Sequence, residues 1–194
     1  MGPKRTELQD IIVYLAHKTC HLTEERLNKL IYIGEMYSAE ILGKRLTDVP
    51  FKNYFYGPWS ARICDEGEEI AGVDIDVKRE KTLDGHEATF FVKIEGRKME
   101  IDLSEEKTAV LDKVLEDWGF KPTDNLVKFA KSTRPFRRSE PGEVLDLERY
   151  VGLVKIVYSK EAIEAVKRSH IERKEGKGRI FINKTELQKY YDEL

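Results

Sequence analysis

Apolar residues recur along this chain in two different rhythms. Leu8, Ile11, Ile12 and Leu15 follow the spacing of a helix over Thr6–Lys18 with one buried face. A second stripe, Leu27, Leu30, Ile31, Gly34, Tyr37 and Ile41, predicts a longer helix, with Thr23 as its N-cap and Gly43 as its stop signal. Gly34, lying on that stripe, predicts the close approach of another backbone. The aromatic segment Phe51–Gly57, bounded by Pro50 and Pro58, reads as a brief strand or extended turn, and residues 59–70 read as a short helix.

The rhythm then drops to two. Val73, Ile75 and Val77 alternate with polar residues, as do Phe90, Val92 and Ile94, and then Met99, Ile101 and Leu103. Asp84-Gly85 and Glu95-Gly96 separate the three runs, so the pattern predicts a three-stranded antiparallel meander with one buried face. Helical spacing returns behind Ser104, an N-cap, with Val110, Leu111, Val114, Leu115 and Trp118 before Gly119. A shorter helix over 123–131 turns Leu126 and Ala130 inward, and Pro135 and Pro141-Gly142 punctuate the loop after it. Gly152–Tyr158 is apolar and β-branched and reads as strand or helix, strand being preferred, and Ser159 opens a helix to about Arg173. After a hinge at Lys174–Gly178, Asn183 and Glu186 have the spacing of a capping box for a last helix.

These elements predict an α+β fold: a mainly helical domain with a small three-stranded antiparallel sheet. Residues 1–140 form the main domain with the meander inserted at 73–103, and 141–194 form a C-terminal extension of mixed strand and helix. At 194 residues with 40% hydrophobic content, the chain needs no disulfide or metal to close a core. Cys20 and Cys64 are too few for a disulfide framework. Residues 1–10 are polar, with no secretory signal, and no run reaches the roughly 18 apolar residues that span a bilayer. The expectation is a cytoplasmic protein with no membrane partner.

Charge adds an asymmetry. Residues 1–120 carry 17 Lys and Arg against 24 Asp and Glu, whereas residues 121–194 carry 17 against 12. The plain reading is a solvated surface; the sharper one is a basic C-terminal face that meets an acidic partner.

No catalytic constellation can be assembled. His17, Cys20 and His21 could share a face and, with Cys64, supply the donors zinc prefers, but the spacing is not a paired CxxC motif. A buried cysteine with surface histidines is the plainer reading, so no metal and no cofactor is expected. Either cysteine beside a histidine would make a nucleophile pair, a combination common to most small proteins. The pairs Glu24-Glu25, Glu68-Glu69 and Glu105-Glu106 diverge by about 100° on a helix and do not converge on a substrate. Neither phosphate-binding glycine motif occurs.

Two segments remain as candidates for binding. Tyr54-Phe55-Tyr56-Gly57-Pro58-Trp59 holds four aromatics in six positions, which cannot all face one way if extended. Tyr54, Tyr56 and Trp59 are the candidate apolar anchors, the alternative being core packing. Lys131, Arg134, Arg137 and Arg138 surround Phe136, an arrangement that could grip phosphate or a carboxylate-rich protein surface.

Leu27-Asn28-Lys29-Leu30-Ile31-Tyr32, then Gly43-Lys44-Arg45-Leu46, then Phe51 through Tyr56-Gly57-Pro58, resembles the signature of the Panacea domain of SocA-like antitoxins. In that family a KLxY helix, a G-(K/R)-x-L segment and a YGP turn follow in this order. The resemblance spans residues 8–140, interrupted by the meander. It departs at Ser132-Thr133-Arg134-Pro135-Phe136, where the family has a histidine after the threonine and tryptophan after the proline. It implies a helical domain with a small sheet that binds a cognate toxin directly, some relatives serving instead as adaptors that hand the toxin to a protease. On this reading Tyr54, Tyr56, Trp59, Arg134, Phe136, Arg137 and Arg138 form the partner-binding set and the chain is not an enzyme. The rival from another class is a winged-helix-like DNA-binding regulator, which the basic C-terminal region favours and the acidic first 120 residues oppose.

Overall fold

The computed structural model describes residues 4–81 and 85–151. The strand expected at Gly152–Tyr158 and the two helices after it lie outside the described residues. Every described residue belongs to a unit that spans Met1–Ile156.

Helix α1 runs over Glu7–Lys18. Thr6 caps it reciprocally: its hydroxyl accepts from the Gln9 amide, and the Gln9 side chain accepts from the Thr6 amide. Helix α2, Glu24–Leu42, begins where the Thr23 hydroxyl accepts from the Arg26 amide and ends at Gly43 in the left-handed region. α2 therefore starts and stops where Thr23 and Gly43 predict, and α1 covers the run whose apolar spacing predicts it.

α2 is more deeply placed than its stripe implies. Every residue from Arg26 to Glu35 is buried, not one face alone. The helix packs against α3 (Ala61–Glu69), α4 (Glu105–Trp118), α5 (Thr123–Ser132) and α7 (Glu148–Val151), and against the strands β2 (Gly57–Trp59) and β4 (Glu87–Lys93). Its apolar residues join Ile11, Ile12, Leu15, Phe51, Ile63, Phe91, Val114 and Leu126 in one core. Its polar residues Arg26, Asn28, Lys29, Tyr32 and Glu35 are buried too, and each of these finds a partner, whereas the buried Ser38 hydroxyl has none among the described residues. Arg26 donates to the carbonyls of Trp118, Gly119 and Lys121, placing a cation on the carbonyl end of α4. Gly34 does allow a close approach, but by the Leu46 side chain: a Cβ there would lie 2.6 Å from its Cδ2.

There are seven helices among the described residues and two antiparallel sheets of two strands each. β1 (Lys52–Tyr54) pairs with β2 through a turn at Phe55-Tyr56. β3 (Ile75–Lys81) pairs with β4 in the register Ile75 to Lys93 and Lys81 to Glu87. The expected three-stranded sheet is thus corrected to a hairpin. Val73 stands exposed in the turn before β3, and Met99–Leu103 forms no strand. That last run is extended enough to turn Met99, Ile101 and Leu103 toward the core. Its backbone, however, is bonded by side chains of the N-terminal segment: Arg5 donates to the Glu100 carbonyl, and the Asp102 amide donates to Asp10 at 3.1 Å. Arg5 and Asp10 are themselves paired at 2.7 Å. Side-chain bonds have replaced the ladder that a third strand would need.

Beyond α5 the loop expected around Pro135 contains one helical turn, α6 (Arg134–Arg137). The chain then returns to β1: Gly142 donates to Asn53, Asn53 to Glu143, and Leu145 to Phe51, all through the backbone. Leu145 and Leu147 are buried in the same core. None of the helices among the described residues is long and apolar enough to cross a membrane.

Candidate partner-binding surface

The two sequence segments singled out for binding come together. They do so because α2 places polar side chains beneath each of them.

Lys29 lies one turn from the start of α2, with no exposed surface at all. Its ammonium donates to the Pro58 carbonyl at 3.1 Å and sits 5.6 Å from the centre of the Trp59 ring. Burial lowers its pKa to about 8, against the smaller opposing pull of Glu25 and Cys64. Beside it, the Asn28 side-chain carbonyl accepts from the Ser60 amide at 2.8 Å. These two contacts hold the second strand of the hairpin from below. Gly57 completes the fit: its φ of 92° suits glycine, and a Cβ there would stand 3.2 Å from Lys29 Cε.

One turn further along α2, Tyr32 reaches the other segment. Its hydroxyl shares a hydrogen bond with the Thr133 hydroxyl at 2.6 Å, just before α6, and its ring meets Phe51 edge-on at 5.3 Å. Burial pushes the Tyr32 phenol well above its ordinary range. At the next turn Glu35, wholly buried, accepts from the amides of Leu46 and Thr47, from the Thr47 hydroxyl and from Arg45 at 2.7 Å. Asn28, Tyr32 and Glu35 thus form a polar row at helical spacing on a helix packed on all sides.

The hairpin and α6 are also joined to one another. Asn53 in β1 donates from its side chain to the carbonyls of Ser139 at 2.9 Å and Phe136 at 3.4 Å. Lys131 donates to the Phe55 carbonyl at 3.1 Å, with its ammonium 5.5 Å from the Phe55 ring centre.

The candidate residues differ in what they present. Tyr54, Phe55 and Tyr56 are 47%, 80% and 66% exposed, and the last two rings meet edge-on at 5.0 Å. Trp59 is half-buried against Lys29. Phe136 is half-buried and packs on the core. Arg134, Arg137 and Arg138 are exposed and line a pocket of about 210 Å³. The surface therefore sets exposed rings at a hairpin tip beside a concave cluster of guanidinium groups.

Lys29, Tyr32, Glu35 and Asn53 are the residues that reading for chemistry passed over. The row at 28, 32 and 35 was visible as spacing, but its burial was not.

The cysteines and histidines do not converge. Among the described residues no group of three or more His, Cys, Asp or Glu side chains is placed to hold a metal ion. Cys64 donates to Glu24 at 3.1 Å and accepts from Asn28 at 3.5 Å. Burial, reinforced by Glu24, pushes its thiol far up from its ordinary range, which disfavours the thiolate a nucleophile needs. Cys20 is exposed at the end of α1, and the His17 pKa is lowered by burial and by Lys93 and Arg97.

The family model described as "Antitoxin SocA-like, Panacea domain" matches residues 27–135. That is more than half of the chain, and the chain belongs to this family. No curated protein and no solved structure matches it.

Proposed function

We propose that the chain is an antitoxin that neutralises a cognate toxin by direct protein–protein contact, acting in the cytoplasm and catalysing no reaction. Tyr54, Tyr56, Trp59, Arg134, Phe136, Arg137 and Arg138 form its contact face. The observation that carries this reading is the junction of hairpin and α6 by Asn53, which ties exposed rings to a segment with exposed guanidinium groups. Family membership supports the antitoxin role. Large aromatics and arginines are the side chains that dominate protein interfaces, because each buries much area at little entropic cost. A face already held by buried bonds loses less freedom on binding.

The same contact could serve a second outcome, delivery of the bound toxin to a protease. Binding comes first in either case. The test is co-expression with the product of the adjacent gene. Wild-type chain should restore growth and co-purify with that product, whereas Tyr54→Ala/Tyr56→Ala and Arg134→Glu/Arg137→Glu should do neither. Rescue that persists in protease-deficient cells favours direct neutralisation; rescue that disappears there favours the adaptor. An adjacent product that is harmless alone and does not co-purify refutes the antitoxin reading.

A further inference from the structure

The arginines among the described residues fall into two groups. Arg5, Arg45, Arg62, Arg79 and Arg97 each pair with a carboxylate, and Arg26 is bonded by three carbonyls. Arg134, Arg137, Arg138 and Arg149 have no carboxylate salt bridge among the described residues, and the first three line one concavity. This occurs in a region with acid to spare: residues 1–150 carry 24 Lys and Arg against 29 Asp and Glu. Three guanidinium groups facing one hollow repel one another and gain nothing from within the described chain. Their charge is available to something outside it.

We propose that this face takes an acidic protein segment, a stretch of the partner carrying one or two carboxylates beside an apolar side chain. The inference rests on the reading of the surface as the toxin-contact face and narrows what the toxin presents there. Guanidinium forks match a carboxylate two bonds at a time, which gives direction as well as attraction. The neighbouring tip supplies the apolar half, since Phe55 and Tyr56 stack edge-on and Lys131 holds Phe55 in place. Lys131 also extends the positive rim toward the rings. The segment would lay its carboxylates in the arginine hollow and its apolar side chain on the rings.

A nucleic acid is the poorer occupant. Its backbone offers a continuous row of phosphates, so affinity grows with the length of a basic track. Here Lys131, Arg134, Arg137 and Arg138 span only one short helix and its flank, and residues 1–150 are acidic in sum.

The test is selection of a phage-displayed random dodecapeptide library on the full chain and on Arg134→Glu/Arg137→Glu/Arg138→Glu, with binding of a short single-stranded DNA oligonucleotide measured in parallel. The wild-type chain should enrich peptides with Asp or Glu next to an aromatic or aliphatic residue. Charge reversal should weaken those peptides at least about tenfold and enrich Lys- or Arg-bearing ones in their place. Phe55→Ser/Tyr56→Ser should relax the apolar preference and keep the acidic one. Unchanged thermal melting of each variant establishes that the fold is intact. Peptides without carboxylates, the same peptides on both charge forms, or tighter arginine-dependent binding of the oligonucleotide would overturn the proposal. The toxin plays no part in this selection, so a chain that selects acidic peptides yet fails to rescue growth refutes the antitoxin reading alone. A chain that rescues growth but selects no acidic peptide refutes only the inference about chemistry.

Discussion

Lys29 carries its ammonium 3.1 Å from the Pro58 carbonyl oxygen, so a charged side chain with no solvent exposure supports the turn that displays Tyr54, Phe55 and Tyr56. A lysine in this position has one carbonyl and one ring face in exchange for its hydration shell, and its lowered pKa expresses that deficit.

This gives the protein a distinctive response to pH. The folded-state pKa of about 8 lies below the ordinary lysine value of 10.5, so the unfolded chain binds the extra proton more tightly. Stability should rise as pH increases through the folded pKa toward the unfolded one. Between neutral pH and about pH 9 the gain should be on the order of 1 kcal/mol. Urea melts of wild type and Lys29→Met across that range should show it as a difference between the two, which cancels the titration of the tyrosines and cysteines. Parallel curves would show that Lys29 does not titrate there.

Gly57→Ala should destabilise the fold by about 1–2 kcal/mol, the cost of placing a Cβ in the left-handed region. The new methyl would also press on Lys29, 3.2 Å away. Denaturant midpoints measure the loss. Gly142→Ala provides the comparison: it also has positive φ but nothing within 4 Å of a Cβ, so it should cost less than Gly57→Ala.

Glu35→Ala should be among the most damaging single changes. It strips partners from the Leu46 and Thr47 amides and leaves Arg45 in a mostly buried position without its nearest carboxylate. Breaking one member of a buried, hydrogen-bonded ion pair costs about 3–5 kcal/mol. A thermal melt within a few degrees of wild type would show that the 45–49 segment does not depend on this carboxylate.

Asn53→Ala separates stability from function. Its side-chain bonds to Phe136 and Ser139 hold the hairpin to α6 but touch little of the core. The expected loss in stability is about 1–2 kcal/mol. Binding of the acidic peptides should fall further than that loss explains, since the two halves of the face would no longer share one geometry. Unaltered peptide affinity would mean that the hairpin and α6 act independently.

Some of this was legible residue by residue. Thr23 and Ser104 announced two helix starts because a capping hydroxyl acts on an amide three residues away, whereas the cap at Thr6 is seen only in the structure. The Panacea signature was readable because its parts are local: Lys29-Leu30-Ile31-Tyr32, then Gly43-Lys44-Arg45-Leu46, then the turn at Tyr56-Gly57-Pro58. The candidate surface was legible only as two separate segments. Nothing local connects Tyr54 with Arg134; Asn53, Lys131 and Tyr32 make that connection across 76 to 101 positions of chain.

The amino-acid order alone determined where the longer helices α1, α2, α4 and α5 lie, which runs alternate, and which motifs mark the family, because those depend on neighbours within about one turn or one pleat. Tertiary structure decided the rest. Met99–Leu103 alternates as a strand should, yet a strand needs a partner edge, and Arg5 and Asp10 took its backbone groups instead. Lys29 looks like any surface lysine until packing on every side of α2 removes its water. Pairing and burial depend on what arrives from elsewhere in the chain, and a local pattern cannot specify the arrival.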